Sequence, residues 1–532
     1  MRKRIWLFVC LFFALYLIFV FNYLSRPQII TWDEAGFVGT AYKFHQLFRA
    51  ADWSKIISLI KSEVYYPFFQ GLFLGLVTLP FEFTIDIVKG VCLLLFAPTL
   101  ILIWQIGKSL SKSKAVAFLS VGLVVTSPFI PFFFTVVLRE GMGLLLALLT
   151  IWLYFLGRSK KSSSAYVFPG VFLTALSLTK YTFGLMVIAA LGTESLITLV
   201  FDKKYPKKEL FRGLFFLFLI PASILGVWVF AVPGNLAEII RNLKNVPDFP
   251  TTIMGHLLYY PIELAVSYSL SWPIFVLVTV GFFAALIVGR KDYRVRVLAL
   301  YFLINFFLAE KIVFKNQSRY ILTSVPFFFM VGSLGLVNLF SKLRKKKFSS
   351  LQLGFLIPLL IVMGGVVIKD LFSFPFLMRA VPTHAFGTAL FYEQDYQKTD
   401  MFDYDRRNWA RVMPPEGSER IENIFRFIFE NIDPYKSITW VGRINEVSYY
   451  LFEYNLGKER EKRTVPTEAR FSEYFITIEV LEGGRFDTLD YRLNNKSEEY
   501  LTWKYLSDPT LIVVSQKKFS YLGAVVTVLG RK

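Results

Sequence analysis

"PFFQGLFLGLVTLP" (residues 67–80) is the stretch on which the topology turns. It is apolar enough for a membrane, but Pro67 and Pro80 bound it. A helix between them reaches only about 20 Å at 1.5 Å per residue, against a bilayer core of about 30 Å. It is therefore read as an interfacial or re-entrant segment. Apolar runs of spanning length fall elsewhere, at about 5–25, 86–107, 115–133, 138–157, 165–179, 181–201, 213–232, 262–288, 296–310, 320–340 and 351–370. Basic residues test this assignment, because short cytoplasmic loops carry the excess of Lys and Arg. With 67–80 not spanning, the clusters Arg2-Lys3-Arg4, Lys108/Lys112/Lys114, Arg158/Lys160/Lys161, Lys203/Lys204/Lys207/Lys208, Arg290/Lys291/Arg294/Arg296 and Lys342/Arg344–Lys347 all share the cytoplasmic side. If it spanned, every cluster after the first would move outside. The pattern predicts about eleven spans, a cytoplasmic N-terminus and an extracytoplasmic C-terminus.

Composition agrees with a membrane protein. Of the 532 residues, 55% are hydrophobic and 18% aromatic, and mean hydropathy is +0.50, values that soluble domains rarely reach. The formal charge of +20 would suggest nucleic acid in a soluble chain. Here the cations sit between apolar runs, which argues against a nucleic-acid partner. Cys10 and Cys92 both lie in apolar runs, so no disulfide framework is implied. His45, His256 and His384 have no paired ligand spacing, so a histidine-built metal site is not expected. The first apolar run has the basic flank of a signal peptide but lacks a small-residue cleavage site, and is read as a retained anchor.

Two regions lie outside the spans. After about residue 370, "EGSERIENIFRFIFENIDPYKSITWVG" predicts a helix ending near Pro434 and then a short strand. "YFITIEV" (474–480), "TLIVVS" (510–515) and "YLGAVVTVLG" (521–530) predict further strands. The division is thus a membrane domain over 1–370 and a small extracytoplasmic α/β domain over 371–532. The second region is the first outer loop, 26–85. Thr31-Trp-Asp-Glu34 fits a capping box with Thr31 as N-cap and Glu34 at N3. Phe37, Ala41, Phe44 and Phe48 follow on one helical face, and Trp53, Ile56, Ile57 and Ile60 form another apolar stripe. Two amphipathic helices on the membrane surface satisfy this pattern.

Capping and the helix dipole account for Glu34 as well as chemistry does, but capping does not require an acid at Asp33. Other charges share the outer face. Glu140 stands at the outer start of a span, Lys180 at an outer turn, and Lys311, Lys315 and Arg319 in one short outer loop. Cations there run against the positive-inside trend and ask for an anionic partner, for which lipid head groups are the bland answer. Carboxylates and cations together at one face suit a lipid-phosphate substrate with a hydroxyl to be deprotonated.

In this order the features resemble the polyprenyl-phosphate-sugar-dependent glycosyltransferases of GT-C fold, a family that includes the protein O-mannosyltransferases and the lipid A aminoarabinose transferase. The resemblance covers roughly 5–340. "TWDEAGF" resembles the family's acidic motif in the first outer loop. "SPFIPFFFTVVLREGMGLLLALLTIWLYFL" resembles its Ser-Pro…Thr-Glu-Pro stretch and places Glu140 at the second acid. "LSLTKYTFGLMVIAALG" and "SRYILTSVPFFFMVGSLGLV" resemble its Thr-Lys turn and Arg-Tyr-x-Leu-Pro segment. "VYYPFFQGLFLGLV" stands where the family often has His-Pro-Pro or Lys-Pro, with Tyr65-Tyr66 in place of the His or Lys. Gly141 replaces the Pro common after the second acid.

The resemblance implies transfer of a sugar from a polyprenyl-phosphate donor to an outer-face acceptor, with inversion. Asp33 would be the general base and Glu34 its partner in the acidic motif. Glu140 would orient the acceptor. Lys180 and Arg319, with Lys311 and Lys315 nearby, would hold the leaving phosphate. Tyr65, Tyr66, Tyr181 and His256 would border the sugar or acceptor pocket, although interfacial aromatic residues are commonly structural. Two carboxylates do not establish a metal; if a divalent cation binds, Asp33 and Glu140 are the ligands expected. Protein, glycan and lipid acceptors all fit, alongside membrane lipids as partners. The rival classes are a polytopic transporter or flippase and a non-catalytic scaffold of the same fold. A transporter usually keeps charges near the midplane in repeated halves, whereas these collect at one face.

Overall fold

The computed structural model describes residues 32–62, 67–111, 114–127, 129–160, 163–202, 206–230, 236–237, 240, 260–261, 264–265, 272–311, 318–344, 421–433, 437–441, 472–480, 506–519 and 524–531. The spans expected at 5–25 and 351–370, and the N-cap expected at Thr31, lie outside these residues. The described residues divide into two compact units, one drawn from Phe44–Asp395 and the other from Leu24–Lys43 with Tyr396–Lys532.

Helix α1 (Trp32–Arg49) contributes its residues through Lys43 to one unit and the rest to the other. Its apolar face is the expected one, with Ala41 and Phe44 fully buried. The chain then turns through Ala51, at φ 51°, into α2 (Trp53–Ser62). Asp52 caps α2, its Oδ1 accepting from the Lys55 N–H at 3.1 Å and the Ser54 hydroxyl at 2.8 Å. Hydrogen bonds from Lys55 are the largest cause holding its carboxyl down, to about 2. Ile56 is buried while Trp53 and Ile57 are exposed, leaving an apolar flank on a basic helix, as an interfacial helix requires. Helix α3 (Phe69–Val77) has 9 residues, too short to cross a bilayer.

Four described helices are long and apolar enough to span: Ile85–Leu110, formed by α4 (Ile85–Leu94) and α5 (Phe96–Leu110), then α7 (Arg139–Lys160), α9 (Tyr181–Phe201) and α10 (Lys207–Phe230). Between them lie α6 (Lys114–Val125) and α8 (Val167–Thr179); α11 (Trp272–Gly289), α12 (Tyr293–Lys311) and α13 (Val325–Arg344) follow. The run read as a span over 115–133 is instead α6 and a separate helical turn at Phe129–Phe132. Pro128, just past the end of α6 in the sequence, has no backbone N–H with which to continue the helix. Helix α11 begins inside the expected run 262–288, with Pro273 in its first turn, where a missing N–H costs nothing. Gly281 of α11 and Gly332 and Gly335 of α13 let these two helices approach backbone to backbone, the small-residue packing that serves helix pairs in lipid.

Two basic residues read as loop charges are tied into one network instead, Arg158 buried and Arg296 partly so. Arg158 ends α7 at 2% exposure and bonds Glu194 of α9, which is fully buried, and Thr198 at 2.7 Å. Arg296 of α12 reaches the other oxygen of Glu194 at 2.7 Å. Tyr154 joins the same network, so three helices are tied around one carboxylate. Helical spacing cannot reveal this, because the partners come from helices distant in sequence.

In the second unit, α14 (Ile421–Glu430) precedes a four-stranded sheet in the order β1-β2-β4-β3, from β1 (Ser437–Val441), β2 (Ser472–Val480), β3 (Leu511–Phe519) and β4 (Ala524–Arg531). Strand β1 pairs parallel to β2, and β4 runs antiparallel to both neighbours. Phe427 of α14 meets Phe519 of β3, ring centroids 6.1 Å apart.

Candidate active site

Lys180 is the single residue between α8 and α9, in extended conformation at φ −159° and ψ 117°. Its N–H closes α8 onto the Leu176 carbonyl at 3.0 Å, and its carbonyl accepts from the Phe183 N–H opening α9 at 3.1 Å. One extended residue cannot continue either helix, so the side chain is presented at the hinge of the pair. Its ammonium bonds Glu140 Oε1 at 2.9 Å, with the lysine side chain 18% and the glutamate 3% exposed. Glu140 is in the first turn of α7, where the dipole favours a carboxylate.

Arg319 reaches the same place from a 3-10 turn, Ser318–Ile321, that leads into α13. The Lys180 ammonium lies 4.4 Å from the Tyr320 ring centre and 4.7 Å from that of Phe183. The Arg319 guanidinium stands 5.7 Å from the same Tyr320 ring. Two cations thus share one aromatic ring, which attracts each through its quadrupole. Burial is the main cause that lowers the Lys180 ammonium to about 8; Arg319 and Arg139 push the same way, and Glu140 opposes them.

Other side chains hold these elements. Arg139 donates to the Thr179 carbonyl at 3.3 Å, tying the residue before Glu140 to the residue before Lys180. Gln70 of α3 donates through Nε2 to the Leu138 carbonyl at 3.0 Å. Behind the Arg319 turn, Tyr301 and Asn305 of α12 donate to the Thr323 hydroxyl at 3.0 and 3.1 Å. Tyr181, partly exposed, is 6.4 Å from Trp228, whose indole also meets Phe68 at 6.0 Å and donates to the Ile60 carbonyl at 3.1 Å.

Of the residues singled out from sequence, the structure brings together Glu140, Lys180 and Arg319, with Tyr181 next to Lys180 in the chain. Asp33 is the second residue of α1, and its side chain lies outside the described residues; Glu34 is fully buried. The Lys311 side chain and residues Tyr65, Tyr66, His256 and Lys315 also lie outside the described residues. Sequence reading missed Arg139, Tyr320, Phe183, Gln70 and Trp228. Gln70 carried a signal: it is the lone amide in an apolar run, and polar side chains inside membranes are seldom idle. Arg139 and Tyr320 flank residues already chosen. Among the described residues no group of three or more His, Cys, Asp or Glu gathers as a metal site. The cluster pairs three cations with one carboxylate, which suits an anionic ligand.

Residues 66–228 match the family described as dolichyl-phosphate-mannose-protein mannosyltransferase. That segment contains Glu140 and Lys180 and is under half of the chain. No curated protein sequence matches. Two solved structures share the fold over nearly the whole of both chains. ArnT from Cupriavidus metallidurans in the apo state is 11% identical, covers 99% of this chain and 98% of its own, and has a TM-score of 0.61. The same organism's ArnT bound to undecaprenyl phosphate is 13% identical over 98% of each chain, with a TM-score of 0.54. At such identities the likeness establishes the fold. The resemblance to polyprenyl-phosphate-sugar-dependent GT-C transferases, read from the motifs, thus recurs in both the family match and the fold.

Proposed function

We propose that this chain is an integral-membrane glycosyltransferase that moves a sugar from a polyprenyl-phosphate donor to an acceptor on the outer face, with inversion at the anomeric carbon. The observation that carries the proposal is the convergence of Lys180 and Arg319 on one ring beside Glu140, each from the end of a different helical element. Support comes also from the mannosyltransferase family match and from the fold shared with a protein that binds undecaprenyl phosphate.

In this mechanism the acceptor hydroxyl gives its proton to Asp33 as its oxygen attacks C1, and the C1–O bond to phosphate breaks. Charge on the phosphate grows from one towards two negative charges during that step. Lys180 and Arg319, helped by Lys311 and Lys315, hold it; an arrangement with surplus positive charge stabilises the departing phosphate more than the bound donor, which is what lowers a barrier. Glu140 orients the acceptor, and Tyr65, Tyr66, Tyr181 and His256 border the sugar. Asp33 and Glu140 are the residues that would hold a divalent cation, were one bound, and it would add positive charge beside the phosphate. The catalytic domain is 1–370, with a cytoplasmic N-terminus, and 371–532 forms an extracytoplasmic domain. The acceptor is a protein, glycan or lipid of the envelope.

The Arg158–Glu194–Arg296 network, buried at Arg158 and Glu194, offers a point in favour of transport, since charges inside a membrane often mark ion paths. Both oxygens of Glu194 are already bonded to arginines, however, which suits a brace better than a moving charge. The test is label transfer from a panel of polyprenyl-phosphate sugars to envelope extracts by purified protein in lipid, with Asp33→Asn alongside. Transfer by the wild type that is lost in the folded variant supports the proposal. Equal transfer by both removes Asp33 as the base and returns it to a helix-end role.

A further inference from the structure

The Glu140–Lys180 pair has a feature that simple phosphate holding does not require. An ammonium carries three N–H donors, yet Glu140 is the only hydrogen-bonding partner of the Lys180 ammonium among the described residues. Phe183 and Tyr320 rings cover other sides of it. The lysine side chain retains exposed surface, whereas the glutamate has almost none. An incoming anion therefore meets the cation first and competes with the carboxylate for it.

We propose that the Glu140–Lys180 ion pair is the donor-free state of the site, and that the lipid phosphate takes the Lys180 ammonium from Glu140. This rests on the phosphate-binding reading above and adds an exchange of partners to it. Removing a buried carboxylate's counter-ion is costly, so Glu140 is left needing a hydrogen-bond donor at the moment the donor lipid is in place. A hydroxyl of the acceptor supplies one. The exchange thus orders the reaction: lipid donor first, acceptor second. It also favours progress, because the departing phosphate, with its second negative charge, competes for Lys180 better than the diester does. Without the lipid, Glu140 stays neutralised and does not attract an acceptor.

The test is saturable binding of undecaprenyl phosphate to purified full-length protein in zwitterionic nanodiscs, for wild type, Glu140→Gln and Lys180→Met. Because Glu140 competes for the lysine, Glu140→Gln is expected to bind about tenfold more tightly than wild type, the effect of removing one nearby like charge. Lys180→Met is expected to bind at least about tenfold more weakly. Equal or weaker binding by Glu140→Gln overturns the exchange, since Glu140 would then be ordering the lysine for its ligand. If that variant does not fold, Glu140→Asp, which withdraws the carboxylate by one methylene, is expected to bind several-fold tighter, and binding no tighter than wild type overturns the exchange. Absence of saturable binding to the wild type removes the phosphate reading itself, and the exchange with it.

Discussion

Gly184 offers a sharp perturbation of the site because it lies in the first turn of α9, just after Lys180, and faces α8. A methyl group there would fall 2.8 Å from Ser177 Cβ and 2.9 Å from its Cα, and closer still to its hydroxyl. The hydroxyl cannot swing away freely, since it donates to the Leu173 carbonyl at 2.8 Å. Carbon atoms rest at about 3.5–4.0 Å, so Gly184→Ala must part the two helices by roughly 1 Å at the hinge that carries Lys180. Overpacking of this kind costs about 1–3 kcal/mol, and a misplacement of about 1 Å at a catalytic group can cost ~100-fold in rate. The assay compares thermal unfolding, undecaprenyl phosphate binding and sugar transfer with those of Gly192→Ala, which sits on the same helix with nothing within 4 Å. Gly184→Ala is expected to lose stability and binding while Gly192→Ala keeps both. If the two variants behave alike, the tight α8–α9 hinge does not set the position of Lys180.

Lys180 loses its charge as pH rises through about 8, so undecaprenyl phosphate affinity is expected to fall between pH 7 and 9. Over that interval its charged fraction drops from ~90% to ~10%. Lys180→Arg, which stays protonated, is expected to remove the fall in a binding titration. Glu194→Gln strands Arg158 and Arg296 around a neutral group and is expected to cost about 3–5 kcal/mol, measured by thermal unfolding in detergent. Gln70→Leu leaves the buried Leu138 carbonyl without its 3.0 Å donor, an expected cost of about 1–3 kcal/mol. Its turnover should fall more than its lipid affinity, because the helix start that carries Glu140 is loosened.

Length and charge made part of this molecule legible. The run 67–80 is too short to span, and α3 occupies only its middle. Lys180 and Arg319 stood out as cations where the charge pattern disfavours them. The strands after 470 were readable from their β-branched content, although the parallel pairing of β1 with β2 was not, since it joins segments far apart in the sequence. Side-chain pairing was the least readable level. Glu140 and Lys180 meet only because α8 returns the chain beside α7, and Arg158 finds Glu194 by the same route. Spacing gives each residue a helical face but does not say which helix that face meets. Arg158 therefore looked like a loop charge, and the sequence set Tyr320 beside Arg319 without showing that Lys180 reaches the same ring.

The most direct measurement is a structure of the full chain in lipid with undecaprenyl phosphate. The account predicts a phosphate within about 4 Å of both the Lys180 ammonium and the Arg319 guanidinium, with Lys180 drawn away from Glu140. A phosphate bound elsewhere, with the Glu140–Lys180 pair intact, would contradict it.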